Sequence, residues 1–184
     1  MQVIPLSIPD VKVLIPRRHG DARGFFSEVY NRRLFHEAGI TDDFVQDNHS
    51  LSAAKGVVRA LHYQLPPMAQ AKLIRVVRGA ILDVAVDIRR SSPTFGQHVR
   101  EVLSAENWKQ LYVPVGFAHG FVTLEPNTEV IYKVTTLYSP AHERGILWND
   151  PAIGIDWGIA ESQATLSERD SKHPPLAAQP DLFD

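Results

Sequence analysis

The sequence predicts an all-β fold, a sandwich or closed barrel with a few short helices. Three observations predict it. Short runs rich in Val, Ile and aromatic residues recur along the 184 residues. The 13 prolines and 11 glycines interrupt those runs at short intervals, the spacing of strands joined by turns. In "ILDVAVDI", Leu82, Val84, Val86 and Ile88 alternate with Ile81, Asp83, Ala85 and Asp87, a two-residue period. With 44% apolar residues and no repeat or low-complexity linker, the chain suits one compact domain over residues 1–184.

Taken in order, strands are expected at 11–15, 25–30, 57–64, 72–78, 81–88, 98–103, 111–115, 119–124 and 129–136. One helix stands out, "NRRLFHEAG", with Asn31 placed to cap its start and Gly39 to end it. "SAENW" (104–108) is expected to add a helical turn. From about residue 140 the chain becomes irregular, through "GILWNDPAIGIDWG" to a polar end.

Composition removes several function classes. A formal net charge of −2 gives no general attraction to nucleic acid or to membrane surfaces. No cysteine is present, which excludes disulfides and thiolate chemistry. The proline-broken start lacks a signal-peptide core, and no apolar run approaches a membrane span. A cytoplasmic protein is the expectation.

The stretch "GVVRALHYQ" (56–64) then poses a chemical question, because it puts His62 and Gln64 on one strand face. Gly56, His62-Tyr63-Gln64, Lys72 and Gly79, followed by Pro114, Gly116 and His119, resemble the two signature motifs of cupin jelly rolls, whose three histidines and one glutamate usually hold a divalent metal. Here Gln64 and Lys72 stand at two of the four ligand positions, while Trp108 and Thr123 replace a motif glycine and asparagine. An ammonium has no lone pair to donate and repels a cation, so no metal is expected. A neutral imidazole beside a lysine suits another task, removal of a proton α to a carbonyl with the enolate oxygen held by the cation. Inversion then needs an acid on the opposite face of the substrate. Tyr132 in "EVIYKVTT", on a face with Val130 and Val134, is the candidate. Arg59 and His62 are three residues apart, so a regular strand would point them to opposite faces unless it bulges. Taken singly, Asp83 reads as an outward strand residue and Lys72 as a solvated strand end.

Successive blocks carry a closer resemblance: "GDARGFFSEVYN", "FVQDNHS", "KGVVRALHYQ", "QAKLIRVVRGAILDVAVDIR", "YVPVGFAHGF", "EVIYKVTTLYSPAHERGILWNDP" and "LSERDSKHPPL". In order and spacing they resemble the dTDP-4-dehydrorhamnose 3,5-epimerase family. The resemblance implies a metal-free and cofactor-free, cupin-like jelly roll, generally homodimeric, that acts in dTDP-L-rhamnose synthesis. It would convert dTDP-4-dehydro-6-deoxy-D-glucose to dTDP-4-dehydro-L-rhamnose by inversion at C3 and C5. It implies His62 as general base with Asp170 as its paired carboxylate, Lys72 at the C4 oxygen and Tyr132 as general acid. It further implies substrate binding by Arg23, Glu28, Gln46, Asn48, Arg59, His119, Tyr138, Glu143 and Arg169. Arg23 and Glu28 would serve the neighbouring subunit through an exchanged N-terminal segment. Arg169 stands where the family commonly has lysine. The alternatives weighed are a C5-only or C3-only epimerase on a related dTDP-keto-sugar, a metal-dependent cupin enzyme and a non-catalytic sugar-nucleotide-binding cupin.

Overall fold

A computed structural model describes all residues, Met1–Asp184. Thirteen strands and one α-helix follow in the order β1 (Gln2–Pro5), β2 (Lys12–Ile15), β3 (His19–Asp21), β4 (Gly24–Phe26), α1 (Arg32–Glu37), β5 (Gln46–Ser52), β6 (Val58–Gln64), β7 (Lys72–Arg78), β8 (Ala80–Asp87), β9 (His98–Ser104), β10 (Gln110–Val113), β11 (Phe117–Thr123), β12 (Thr128–Val134) and β13 (Glu143–Gly145). Three single-turn 3₁₀ helices lie in the C-terminal segment. The strands form a six-stranded sheet, β1-β2-β10-β7-β12-β5, and a five-stranded sheet, β13-β6-β11-β8-β9, with β3 and β4 as a separate hairpin. This is the all-β, cupin-like jelly roll expected.

The period-2 geometry of strands places three layers of side chains. Between the sheets, Ile74, Val76, Leu111 and Val130 meet Ile81, Ala85, Val99, Leu103, Phe117 and Phe121. On the outer face of the five-stranded sheet, Leu82, Val84, Val86 and Val122 pack against Ile146, Trp148, Ile153, Trp157 and Leu176 of the C-terminal segment. On the outer face of the six-stranded sheet, Leu14, Leu73 and Tyr112 meet Phe35 and Ile40 around α1. Covered on both faces, β8 is buried along its whole length. Asp83 is therefore fully buried, not the outward residue its alternation suggested.

The helix begins where expected, with Asn31 Oδ1 accepting from the Leu34 N–H. "SAENW" forms a hydrogen-bonded turn and no helix, because Asn107 Oδ1 and Ser104 Oγ take up its backbone N–H groups. The expected strand at 25–30 is confined to Gly24–Phe26. Trp108, in place of the motif glycine, adopts the left-handed region at φ 61°. Its ring lies against the Arg18 and Arg75 guanidinium groups and edge-on to Phe25.

Candidate active site

A cavity of about 830 Å³ opens between the two sheets. On the six-stranded side, alternate residues point into it: Gln46, Asn48 and Ser50 from β5, Lys72 and Ile74 from β7, and Val130 and Tyr132 from β12. Arg59, His62 and Gln64 from β6, with His119 and Phe121 from β11, line the facing side. Tyr138, Glu143, Arg169 and Asp170 complete it from the loops and the C-terminal segment.

Arg59 and His62 share this cavity because β6 bulges. Its pairing with β11 runs His119↔His62 and then Phe121↔Arg59, so three steps on β6 match two on β11. The extra residue turns the following side chains over. Gly120 lies opposite the bulge, where a Cβ would overlap Ala60 and crowd the Arg59 carbonyl.

His62 Nε2 donates to Asp170 Oδ1 at 3.0 Å, across 108 positions of sequence. Asp170 is buried. Burial alone would raise its pKa, but hydrogen bonds from His62, Ser167 and the Ala60 backbone outweigh it and hold the carboxyl below its usual range. With Nε2–H committed to an ionised carboxylate, Nδ1 carries the free lone pair. Lys72 Nζ donates to the His62 carbonyl at 3.3 Å. Burial draws its pKa down to about 8, against the opposing pull of Asp83 and Glu143. Half-buried and paired within β7, not a frayed strand end, Lys72 lines the cavity. Tyr132 faces His62 from the opposite sheet; burial raises its pKa, Arg59 opposing, and its hydroxyl makes no hydrogen bond within the chain.

Comparison with known proteins bears on this arrangement. Residues 5–178 match the family model described as dTDP-4-dehydrorhamnose 3,5-epimerase. The chain belongs to that family. Among curated relatives, the dTDP-4-dehydrorhamnose 3,5-epimerase of Pseudomonas aeruginosa is 55% identical over 92% of this chain and 93% of its own length. That of Sinorhizobium fredii is 53% identical over 97% and 91%. A solved dTDP-6-deoxy-D-glucose-3,5-epimerase from Legionella pneumophila, in complex with dTDP-4-keto-L-rhamnose, superposes with a TM-score of 0.91 at 46% identity, covering 96% of this chain and 93% of that one. A dTDP-4-dehydrorhamnose 3,5-epimerase is an isomerase, and its substrate is a dTDP-sugar.

Within this epimerase-family cavity, the positions of the cupin metal cage do not fit a metal. The Gln64 amide is fully engaged by the chain: Nε2 donates to the Met68 and Leu137 carbonyls at 2.6 and 3.2 Å, and Oε1 accepts from the Ser139 N–H at 2.8 Å. It ties two loops together. Lys72 brings a cation to the second position. His119 Nε2 is bonded to Asp83 Oδ1 at 2.5 Å; burial lowers its pKa, Asp83 opposing. Donor atoms of His62, Asp170 and His173 do lie within 4.8 Å of one another. However, Arg169 Nε stands 4.0 Å from the same Asp170 Oδ1, placing a cation beside that group already.

At the cavity mouth Arg169 donates through Nη1 and Nη2 to Glu143 at 2.5 and 3.0 Å, and Tyr138 Oη donates to Glu143 Oε2 at 2.8 Å. Although burial opposes it, Glu143 is held below its usual range by Tyr138 and Arg169. Gln46 Nε2 donates to Asn48 Oδ1 at 2.8 Å, and Gln46 Oε1 accepts from the Tyr138 N–H. All four acid–base candidates and seven of the nine binding candidates thus converge. Arg23 and Glu28 do not. Arg23 lies on the β3–β4 hairpin, paired with Asp21, and Glu28 accepts from Asn31 Nδ2, both outside this chain's cavity. Sequence reasoning missed Ser167 and His173, and undervalued Asp83. A signal existed only for Asp83, a charge within a strand of otherwise apolar residues.

Proposed function

We propose that the protein converts dTDP-4-dehydro-6-deoxy-D-glucose to dTDP-4-dehydro-L-rhamnose by inverting C3 and C5 in turn, using side chains alone. One observation carries this reading: His62 and Tyr132 face each other from opposite sheets across a cavity that also holds the Lys72 ammonium. Inversion requires a proton to leave one face of a carbon and another to arrive on the opposite face.

His62 Nδ1 removes the proton α to the C4 carbonyl, and Asp170 stabilises the resulting imidazolium. Electron density moves onto the C4 oxygen, where Lys72 supplies charge and a hydrogen bond. Tyr132 returns a proton from the other side. Gln46, Asn48, Arg59 and Tyr138 receive the nucleotide and sugar, while Glu143 and Arg169 exchange their mutual bond for substrate contacts. No cofactor is needed for either proton transfer.

The protein is further proposed to act in the cytoplasm as a homodimer in which the β3–β4 hairpin brings Arg23 and Glu28 to the second subunit's cavity. Support comes from the absence of Arg23 and Glu28 from the lining of their own chain's cavity, with Phe25 58% and Phe26 68% exposed beside them.

Incubation of metal-free protein with the keto-sugar nucleotide in deuterated water, read by NMR, tests the reaction. Deuterium at both C3 and C5 with the L configuration is expected. Label at one carbon only would replace this reading with a single-position epimerase, and binding without exchange would remove the enzyme. For the dimer, mixing the Arg23→Ala and His62→Ala proteins restores activity through one intact composite site. Without recovery after subunit exchange, the hairpin does not cross.

A further inference from the structure

One titratable side chain at this centre has no part in the chemistry above. His173 follows the 3₁₀ turn Asp170–Lys172, and its Nε2 lies 3.8 Å from Asp170 Oδ1, the oxygen that His62 uses at 3.0 Å. The two imidazole rings meet edge-on, with centroids 5.7 Å apart and planes at 78°. His173 Nε2 is shut off from solvent and has no hydrogen-bond partner.

The chain makes specific room for this ring. Gly145 of β13 pairs with His62 of β6, and a Cβ at Gly145 would overlap Cε1, Nε2 and Cδ2 of His173. The ring therefore lies across the backbone neighbour of the proposed base. Hydrogen bonds around it hold its segment in place: the Pro174 carbonyl accepts from Leu147 N–H at 2.8 Å. Gln179 Nε2 donates to the Gly145 carbonyl at 2.8 Å, and Leu176 N–H donates to Asp150 Oδ2 at 2.7 Å.

We propose that His173 is a positioning residue for the His62–Asp170 pair, a wall that keeps water from the carboxylate so that its charge acts undiluted on His62. The inference rests on the assignment of His62 as the base. A carboxylate shielded from water interacts more strongly with a neighbouring imidazolium than a hydrated one. At 3.8 Å His173 does not compete for the oxygen, since that distance exceeds a hydrogen bond. Burial and the neighbouring His62 both lower the His173 pKa, Asp170 opposing, which keeps the wall neutral while His62 gains its proton. The other groups around His62 are Lys72 from β7, His119 with Asp83 from β11 and β8, Glu143 from β13, and Arg169. Of these, Arg169 also approaches Asp170, its Nε 4.0 Å from the same Oδ1.

The test is the pH dependence of kcat/KM for the full-length protein and three variants, with folding checked by circular dichroism. His173→Ala admits water to Asp170, weakens its hold on the imidazolium and lowers the proton affinity of His62. The acid limb should move to lower pH by about half a unit. The same variant should lose kcat by roughly two- to fivefold, the Brønsted consequence of a weaker base, at unchanged KM. His173→Gln places an amide donor beside Oδ1 and should move the limb the same way. His173→Phe keeps the wall without its nitrogen and should leave the limb at the parental position. If alanine does not fold, glutamine and phenylalanine still decide the matter by opposite outcomes. Superimposable profiles for Ala or Gln, a Phe profile displaced as far as theirs, or a raised KM at constant kcat would each overturn the proposal. Parental activity in His62→Ala would instead overturn the base assignment beneath it.

Discussion

Between pH 7 and 10 Lys72 should contribute a rising share of stability while the protein is switched off. Its ammonium is drawn from 10.5 to about 8 by burial. In the unfolded chain a lysine keeps its proton to about pH 10.4. Between those two values the unfolded state binds more protons than the folded one, so stability rises with pH. The gap between 10.5 and about 8 corresponds to on the order of 3 kcal/mol gained across that window. Over the same interval the cation proposed to hold the C4 oxygen disappears, and kcat/KM should fall through an alkaline limb near pH 8. Urea denaturation at pH 7, 8, 9 and 10 measures the first effect, and steady-state kinetics the second. Lys72→Met isolates the group, because its stability should lack the rise seen in the parent across that window. Equal pH slopes for parent and Lys72→Met, together with full parental activity at pH 10, would refute the reasoning.

Three other outcomes are expected. His62→Ala should lower kcat by roughly 100- to 10,000-fold, the usual contribution of acid–base catalysis, measured by coupled reduction of the product. Tyr132→Phe should retain solvent exchange of the substrate's C–H protons while losing full inversion, which one NMR time course in deuterated water separates. Gly120→Ala, whose new methyl would meet Ala60 and the Arg59 carbonyl at the β6 bulge, should cost roughly 1–3 kcal/mol of stability, read as a lower Tm.

Strands buried on one or both faces were legible in the sequence because their apolar residues repeat with a period of two: β6, β7, β8, β9, β10, β11 and β12 all lie within the expected segments or within a residue or two of them. β5, "QDNHSLS", was not. Its inward residues Gln46, Asn48 and Ser50 line a polar cavity, while Asp47 and His49 face solvent, so neither face is apolar and no alternation survives. The edge strands β1 and β13 escaped for another reason: three or four residues against one neighbour leave too short a pattern. At the site, His62, Lys72 and His119 were legible through their spacing within two motifs, and Tyr132 through strand parity. Asp170 came only from the resemblance, since nothing local links residues 108 positions apart. The bulge that reconciles Arg59 with His62 was posed by parity, but its place is set by crowding against Gly120. His173 left no trace, because its meaning depends on a glycine 28 positions earlier in another strand.

The strands of the sandwich are complete at Gly145, yet the carboxylate that fixes the His62 tautomer arrives only with residue 170, carried by a tail strapped over the outside of the five-stranded sheet. Every other acid–base candidate is therefore already made when the partner of His62 is still to come. Competence is conferred last, by the docking of a segment whose Ile146, Trp148, Ile153, Trp157 and Leu176 also close the outer face of the five-stranded sheet, so the carboxylate and that layer of the core arrive together.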